Sequence, residues 1–243
     1  MKQFKFLATG IVLSISLLFA SCNEGSENKT DETKTDTTLT TTTAEPIAPE
    51  KPGNFLLIKQ KVANYAKWLP TYESNDSARL ANGLTKFVLG RGLGKDSNTV
   101  LVALKMDDVT KARELTASKG MKDKMQKAGV IGAPTFAFLE TVMLDKGTDA
   151  STTRVWMMHK VKDWDAWKKE FDSHKQVRID AGLTDRAVGY SVGDNHMVTV
   201  VCAVTDMEKA KAFMASKDLK DKMAAAGVEG PPTIYFYDVV KSY

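Results

Sequence analysis

Cysteine is nearly absent from this sequence, which contains only Cys22 and Cys202. Two cysteines allow at most one disulfide bond, so the chain is not a small scaffold held together by disulfides. Cys22 follows an apolar segment near the N-terminus. Cys202 lies in the apolar run MVTVVCAV, where we expect a buried small side chain rather than a nucleophile.

Histidine is also scarce, with His159, His174 and His196 as its three occurrences. Their positions do not give the H-x-H or H-x-x-x-H spacing of metal ligands, so no metal site is predicted. The glycine-rich stretch GRGLG, residues 90–94, precedes a strand pattern instead of a helix. A phosphate-binding loop is therefore not predicted, and we expect no cofactor.

Neither sign of charge dominates the chain. Its 34 lysines and arginines are balanced by 30 acidic residues, which leaves a formal net charge of +4. The basic residues are interspersed with acidic ones and form no basic stripe. Nucleic acid is therefore not expected as a partner.

The longest hydrophobic run is FLATGIVLSISLLFA, which follows Lys2 and Lys5 near the N-terminus. It is too short for a stable membrane span and is typical of the apolar region of a signal peptide. Because Cys22 follows after small residues, the segment resembles a bacterial lipoprotein signal. The resemblance implies a signal in residues 1–22, a lipid on Cys22, and a protein held to a membrane of the cell envelope, in the periplasm or on the cell surface. An unlipidated secreted protein is the alternative.

Residues 23–53 contain almost no large apolar side chain but include a threonine run and three prolines. Such a segment cannot bury enough surface to offset the entropy lost on ordering it. We predict a disordered tether between the lipid and the folded part.

The remainder of the chain is a tandem repeat. ASKGMKDKMQKAGVIGAPT, residues 117–135, returns as ASKDLKDKMAAAGVEGPPT, residues 215–233, with 13 of 19 residues identical. Earlier residues align at an offset of 99, as Lys61 with Lys160, and later ones at 98, as Ala117 with Ala215. The two copies span residues 54–145 and 152–243, and their difference in length falls in a predicted turn.

Each copy repeats one order of periodic patterns: strand, helix, strand, strand, helix, strand. The first helices, NYAKWLPTYESNDSARLAN and DWDAWKKEFDSHKQVRIDA, are predicted to end at Gly83 and Gly182. A second continuous helix is predicted from Asp108 and from Met207, and a strand that begins at a Pro-Thr pair closes each copy. This βαββαβ order is the ferredoxin-like arrangement of α+β proteins.

A sheet of this kind carries helices on one face only, yet the first strands are apolar on both faces, as in FLLIKQ and VWMMH. The sheet of the other copy is the simplest cover for the second face. We therefore predict two tandem ferredoxin-like units that form one α+β barrel within a single chain. Such a barrel has internal pseudo-two-fold symmetry, and we expect a monomer.

The second copy resembles the dimeric α+β barrel superfamily, and within it proteins similar to antibiotic-biosynthesis monooxygenases, also described as cyclase-like. The matching residues are HKVKDWDAWKKEFDSH, Arg178, AGL, DMEKAKAF and LKDKMAAAGVEGPPTIYFYD. The resemblance implies an eight-stranded barrel with a ligand pocket between sheet and helices in each half. It also implies cofactor-free chemistry on phenolic or quinol-like substrates, but no catalytic residue of the family can be assigned here.

One stripe of the first helix combines aromatic and polar side chains. In the second copy its members are spaced by three and four residues and are Trp164, Trp167, Phe171, His174 and Arg178. The equivalent residues of the first copy are Tyr65, Trp68, Tyr72, Asn75 and Arg79. On the first strand, His159 corresponds to Gln60. Two histidines of the second copy are therefore amides in the first.

Two interpretations of these residues stay open. In the first, His159, His174 and Arg178 line a pocket where histidine acts as a general base and arginine holds an enolate or carboxylate. In the second, the polar groups hydrogen-bond the helix end and the arginine lies over an aromatic ring. The candidate ligand-binding residues are Trp164, Trp167 and Phe171 in the second copy, and Trp68, Tyr72, Asn75 and Arg79 in the first.

Two functions follow from these interpretations. One is binding of a small aromatic or anionic molecule, with cofactor-independent monooxygenase or cyclase-like chemistry. The alternative is a non-catalytic binding or interaction module of the cell envelope.

Overall fold

The two copies fold into the same series of elements, called here the first and the second half. The structure, a computed structural model, describes residues 52–147 and 150–243. The predicted signal peptide, Cys22 and the predicted tether up to residue 51 lie outside the described residues. Within the described part, no helix combines the length and apolar character needed to cross a membrane.

In the described residues, each half contributes four strands and four short α-helices, and the first half also has a 3₁₀ helix, Gly94–Asp96, between β2 and β3. The elements of the first half are β1 (Asn54–Val62), α1 (Tyr65–Glu73), α2 (Asp76–Leu80), β2 (Leu84–Gly92), β3 (Thr99–Met106), α3 (Val109–Ala117), α4 (Lys119–Lys127) and β4 (Val130–Leu144). Those of the second half are β5 (Thr153–Val161), α5 (Trp164–Ser173), α6 (Lys175–Asp180), β6 (Leu183–Ser191), β7 (Asp194–Val204), α7 (Met207–Ala215), α8 (Lys217–Ala225) and β8 (Val228–Ser242).

The eight strands form a closed antiparallel barrel in the order β1-β3-β2-β8-β5-β7-β6-β4. The long last strand of each half joins the two halves. β4 pairs first with β1 and then, from Leu139 onward, with β6. β8 pairs in the same way with β5 and then with β2. Because both junctions close, the barrel has no open edge, and the predicted tandem α+β barrel is confirmed.

The core has three parts, which explains why the first strands are apolar on both faces. On β1, Leu56 and Ile58 pack outward against the helices of the first half, whereas Phe55 and Leu57 point into the barrel. On β5, Val155 packs outward against the helices of the second half and Trp156 points inward. The sheets therefore bury both faces, as the sequence predicts.

The first helix of each half is broken, whereas the sequence predicted continuous helices. The breaks lie at Asn75, between α1 and α2, and at His174, between α5 and α6. At each break, side chains occupy carbonyl oxygens of the preceding turn: Asn75 donates to Thr71 and Arg79 donates to Tyr72. Those carbonyls no longer need a backbone donor from the next turn, so the helix can end and restart.

The second helix of each half is also two helices, contrary to the prediction. Ser118 separates α3 from α4, and Ser216 separates α7 from α8. Both serines have extended backbone, with ψ of 144° and 148°. Each serine accepts a hydrogen bond from the backbone three residues on, Ser118 Oγ from Met121 N at 3.1 Å. The serine thus caps the N-terminus of a new helix where the previous one stops.

The last strands begin earlier than predicted. β4 already pairs at Val130, before Pro134, and β8 at Val228. Lys61 pairs with Ile131 and Lys59 with Thr135, so the register shifts and residues 132–134 bulge out of the pairing. Gly132 in this bulge has φ +71°. A bulge of this kind lets the strand contain a proline and still continue pairing.

Candidate functional site

Each half holds a cavity between its sheet and its helices, as the resemblance implied. The cavity of the second half, here the second-half cavity, has a volume of about 130 Å³. That of the first half is about 220 Å³. Residues singled out in the sequence that line the second-half cavity are His159, Trp167, Phe171, His174 and Arg178. Those that line the first-half cavity are Gln60, Trp68, Tyr72, Asn75 and Arg79.

Aromatic rings form one wall of the second-half cavity. Trp167 stacks on Phe171 with 4.9 Å between ring centres and 23° between planes. Trp164, the first member of the stripe, does not line the cavity; it packs edge-on against Tyr190, 4.8 Å away. The break at His174 and the position of Trp164 mean that the stripe predicted from helical spacing is only partly a cavity wall.

Arg178 is buried and is held by partners on two elements. Its Nε and Nη2 donate to the two carboxylate oxygens of Asp185 at 2.8 and 2.6 Å, and Nη1 donates to the carbonyl of Phe171. The guanidinium carbon also lies 3.5 Å from the centre of the Phe171 ring. Arg79 has the corresponding place in the first half, paired with Asp76 and lying over Tyr72 at 4.4 Å. Both arginines therefore already have a counter-ion and an aromatic neighbour.

His174 shares its role with Asn75. Its Nδ1 lies 2.8 Å from the carbonyl oxygen of Glu170, which can only accept, so Nδ1 carries the proton. Asn75 donates to the equivalent carbonyl of Thr71 at 2.7 Å. The common function of this position is to bind a carbonyl at the end of the helix. The second ring nitrogen of His174, Nε2, is an acceptor whenever the ring is neutral.

His159 differs from these residues because it is buried without a partner. Its side chain is on β5, 8% exposed, and neither ring nitrogen has a hydrogen-bond partner among the described residues. The ring lies 5.4 Å from that of Trp167. Burial lowers the pKa of His159 to about 4, because the low-dielectric surroundings disfavour the charged form. The imidazole is therefore neutral at pH 7.

Asp185 accepts the two hydrogen bonds that hold Arg178 in place, but the sequence analysis did not identify it. Asp185 also lies 3.6 Å from the sulfur of Cys202, which is fully buried on β7. Burial, and next the charge of Asp185, raise the pKa of the Cys202 thiol, so the thiol stays protonated. Cys202 is packed in the core of the second half, in agreement with the expectation.

Neither a serine-nucleophile turn nor a metal site is found among the described residues. The sequence GYSVG, residues 189–193, matches the G-x-S-x-G motif of a serine-nucleophile elbow, but it forms the end of β6 and the hairpin turn into β7. A nucleophile elbow needs a helix after the turn. Among residues 52–147 and 150–243, no cluster of three or more histidine, cysteine or acidic side chains has a geometry that could hold a metal ion.

No protein-family model and no curated protein matches the sequence. Solved structures do share the fold. An anthrone oxidase-like protein superposes with a TM-score of 0.53 at 14% identity, over 80% of this chain and 94% of its own. A candidate monooxygenase from Fusobacterium nucleatum gives a TM-score of 0.51 at 13% identity, over 77% of this chain and 92% of its own.

A candidate chlorite dismutase gives a TM-score of 0.50 at 13% identity, over 78% of this chain and 96% of its own. Identities this low show the fold and nothing finer. The superpositions confirm that the chain has the fold of the ferredoxin-like dimeric α+β barrel.

Proposed function

We propose that the second-half cavity binds a small, neutral aromatic molecule that carries a hydroxyl group, such as a phenol. The observation that carries this proposal is His159, a buried imidazole without a partner on the wall of an aromatic cavity. An unsatisfied buried polar group costs about 1–3 kcal/mol. A ligand that supplies the missing partner recovers this free energy on binding.

The protonation state of His159 selects the type of ligand. A neutral imidazole offers one donor and one acceptor and no charge, so it complements a hydroxyl group better than a carboxylate. The cavity volume of about 130 Å³ is close to that of an engineered cavity of about 150 Å³ that holds benzene. The site is therefore matched to a single ring, which the faces of Trp167 and Phe171 can contact.

The test compares p-cresol with toluene, which has the same shape but no hydroxyl group, by NMR titration of the full chain at pH 7. We expect p-cresol to bind more tightly, and His159→Leu to weaken its binding about tenfold, the value of one hydrogen bond. Gln60→Leu, the matched change in the first half, leaves binding to the second-half cavity unchanged. Equal affinity for the two compounds in the unmodified protein refutes the proposal.

Cofactor-independent oxidation of a phenol or quinol by O₂ is a second candidate function. It is favoured by a neutral ring nitrogen of His159 on the cavity wall, which can hydrogen-bond a substrate hydroxyl group and position it. Because its pKa is lowered to about 4, His159 is a weak base and a positioning residue in this reaction, in which O₂ takes two electrons and two protons from a quinol to give quinone and hydrogen peroxide. The anthrone oxidase-like and monooxygenase neighbours support it by fold analogy only. Oxygen uptake with a panel of quinols tests it, with His159→Gln and His174→Asn as comparisons. Turnover that both substitutions leave intact removes these residues from the mechanism; no turnover favours a non-catalytic binding module.

We also propose that the protein is a lipid-anchored monomer of the cell envelope. The signal-like segment before Cys22 supports the anchor. Barrel closure within one chain supports the monomer, because the second sheet that a dimer would supply is already present. Expression of the Cys22→Ser variant tests the anchor: it is expected in the soluble fraction, whereas the unmodified protein is expected in the membrane fraction.

A further inference from the structure

A third cavity, here the interior cavity, lies inside the barrel and has a volume of about 310 Å³. Side chains from all eight strands line it, and none of them lines either helix–sheet cavity. It reaches the end of the barrel where β1 and β5 begin, since Phe55 and Arg154 lie near the starts of these strands. The interior cavity is therefore separate from the site proposed above.

The pseudo-two-fold symmetry of the barrel makes the two sides of the interior cavity comparable. The first half contributes an apolar side with Phe55, Leu57, Phe87, Ala103 and Leu139. At the positions equivalent to Phe55, Phe87 and Leu139, the second half has Arg154, Arg186 and Tyr237. Phe55 and Phe87 contact each other edge-on at 5.1 Å. The two halves of one symmetric cavity thus differ in polarity.

Two cations of this cavity have no ion pair with a described residue, Arg154 and Lys146, and of these Arg154 is half-buried whereas Lys146 is exposed. The Nη1 of Arg154 donates to the carbonyls of Ser151 at 2.7 Å and Thr153 at 3.0 Å. Arg154 is half-buried, and burial lowers the pKa of its guanidinium. Arg186 is placed differently, because Asp145 lies 3.4 Å from its Nη1.

Thr199 provides a second polar group deeper in the cavity. Its Oγ1 is buried and has no hydrogen-bond partner among the described residues. On the paired strands, Arg154 is opposite Ala203 and Met158 is opposite Thr199. The backbone positions of Arg154 and Thr199 are therefore four residues apart along the strands, about 13 Å at 3.3 Å per residue. Phe55 lies at the level of Arg154, and the lining residues between that level and Thr199 are apolar: Leu57 and Ala103, which are paired, and Val201, opposite Trp156.

We propose that the interior cavity binds an amphipathic organic carboxylate, with the carboxylate on Arg154, the apolar body against Leu57, Ala103 and Val201, and a polar group at Thr199. A guanidinium and a carboxylate make charge-assisted hydrogen bonds that are strongest where water is excluded. The spacing of the two backbone positions along the strands and the volume of the cavity fit a body of about two fused rings. This inference does not depend on the function proposed for the second-half cavity.

The experiment uses 2-naphthoate and its uncharged analogue 2-naphthylmethanol, titrated calorimetrically into the full chain. We expect the carboxylate to bind at least about tenfold more tightly. Arg154→Phe, which introduces the side chain of the equivalent position in the first half, is expected to abolish this preference. Lys61→Gln removes an exposed cation of β1 outside the cavity and is expected to leave the preference unchanged, as is His159→Leu.

Thr199→Val keeps the shape of the side chain and tests the deeper contact without removing a charge. We expect 6-hydroxy-2-naphthoate to lose affinity about fivefold in this variant, while 2-naphthoate does not change. Two results overturn the proposal: equal affinity for 2-naphthoate and 2-naphthylmethanol in the unmodified protein, or an unchanged preference in folded Arg154→Phe. Loss of binding in His159→Leu overturns it as well, because the ligand then lies in the second-half cavity.

Discussion

Gln60 and His159 occupy equivalent positions on β1 and β5, and each is buried with a side-chain acceptor that no described residue satisfies. The other polar pairs of the two halves share a structural role. Asn75 and His174 both bind a carbonyl at a helix end, and Arg79 and Arg178 both pair with an aspartate. The two helix–sheet cavities therefore differ at this position, a neutral amide in one half and a titratable ring in the other, and at Tyr72, whose buried hydroxyl has no counterpart on the equivalent Phe171.

His159 makes stability depend on pH. Its pKa is lowered in the folded protein to about 4 from an ordinary value of 6.5. Below pH 6.5 the unfolded chain binds a proton there that the folded chain does not, so the folded state loses stability as pH falls from 6.5 to about 4. We expect the loss to reach about 3 kcal/mol relative to a variant without the group.

Urea unfolding at pH 7 and pH 4.5 measures this effect. The free energy of unfolding is expected to fall more in the unmodified protein than in His159→Gln, which carries the side chain of the first half. His196→Asn, a change at an exposed histidine, serves as the control and should follow the unmodified protein. Identical pH dependence in His159→Gln and the unmodified protein contradicts the burial of a neutral imidazole.

The ion pair of Arg178 with Asp185 should contribute far more to stability than its counterpart in the first half. In the second half both side chains are less than 10% exposed, whereas Asp76, the partner of Arg79, is 43% exposed. Arg178→Met leaves a buried carboxylate without a counter-ion and is expected to cost about 3–5 kcal/mol. Arg79→Met leaves a solvated carboxylate, and we expect a loss of about 1–2 kcal/mol.

Chemical denaturation of both variants gives the two costs, and Asp185→Asn in the Arg178→Met background supplies the control. Removal of the buried charge should restore part of the lost stability. If the two single variants lose the same free energy, the difference in burial of the two aspartates has no energetic consequence.

The thiol of Cys202 should be inert in the folded protein. It is fully buried, and its pKa is raised, so little thiolate forms and a reagent cannot reach it. In a Cys22→Ser background, we expect Ellman's reagent to react only after urea is added. Asn195→Cys in the same background places a thiol at an exposed position of β7 and should react at once. Rapid reaction of Cys202 without urea contradicts its place in the core.

Much of the fold could be predicted from the sequence because it depends on repeated local patterns. The strand patterns, the glycines at Gly83 and Gly182 and the two-sided apolar strands were enough to predict the barrel. The helix breaks were missed because helical spacing does not reveal that Asn75 and His174 bind carbonyls of their own helix. Helical spacing also did not reveal Asp185, because this residue lies on β6 and meets Arg178 of α6 only in the folded chain.

The interior cavity could not be predicted for a different reason. The alignment of Phe55 with Arg154 and of Phe87 with Arg186 is visible in the sequence. Whether these residues point into the barrel or toward helices depends on strand register and on closure by β4 and β8. A shift by one residue would place both arginines on the opposite face of their strands.

Trp164 and Trp167, neighbours on one face of α5, should differ in their effect on ligand binding. Trp167 lines the second-half cavity and stacks on Phe171, whereas Trp164 lies outside it against Tyr190. Trp167→Leu removes the ring face that contacts a bound aromatic molecule, so we expect p-cresol to bind about fivefold more weakly or worse. Trp164→Leu is expected to change the affinity less, by about twofold, since Trp164 does not line the cavity and acts on it only through its contact with Trp167, whose ring centre is 5.4 Å away.

NMR titration of both variants with p-cresol at pH 7 measures the difference, after circular dichroism has shown that both are folded. The pair is well matched because the same substitution is made three residues apart on one helix. A larger loss in Trp164→Leu would place the ligand beside Tyr190 and outside the second-half cavity. His159 would then keep its unsatisfied nitrogens in the complex, and its burial would need a reason other than ligand binding.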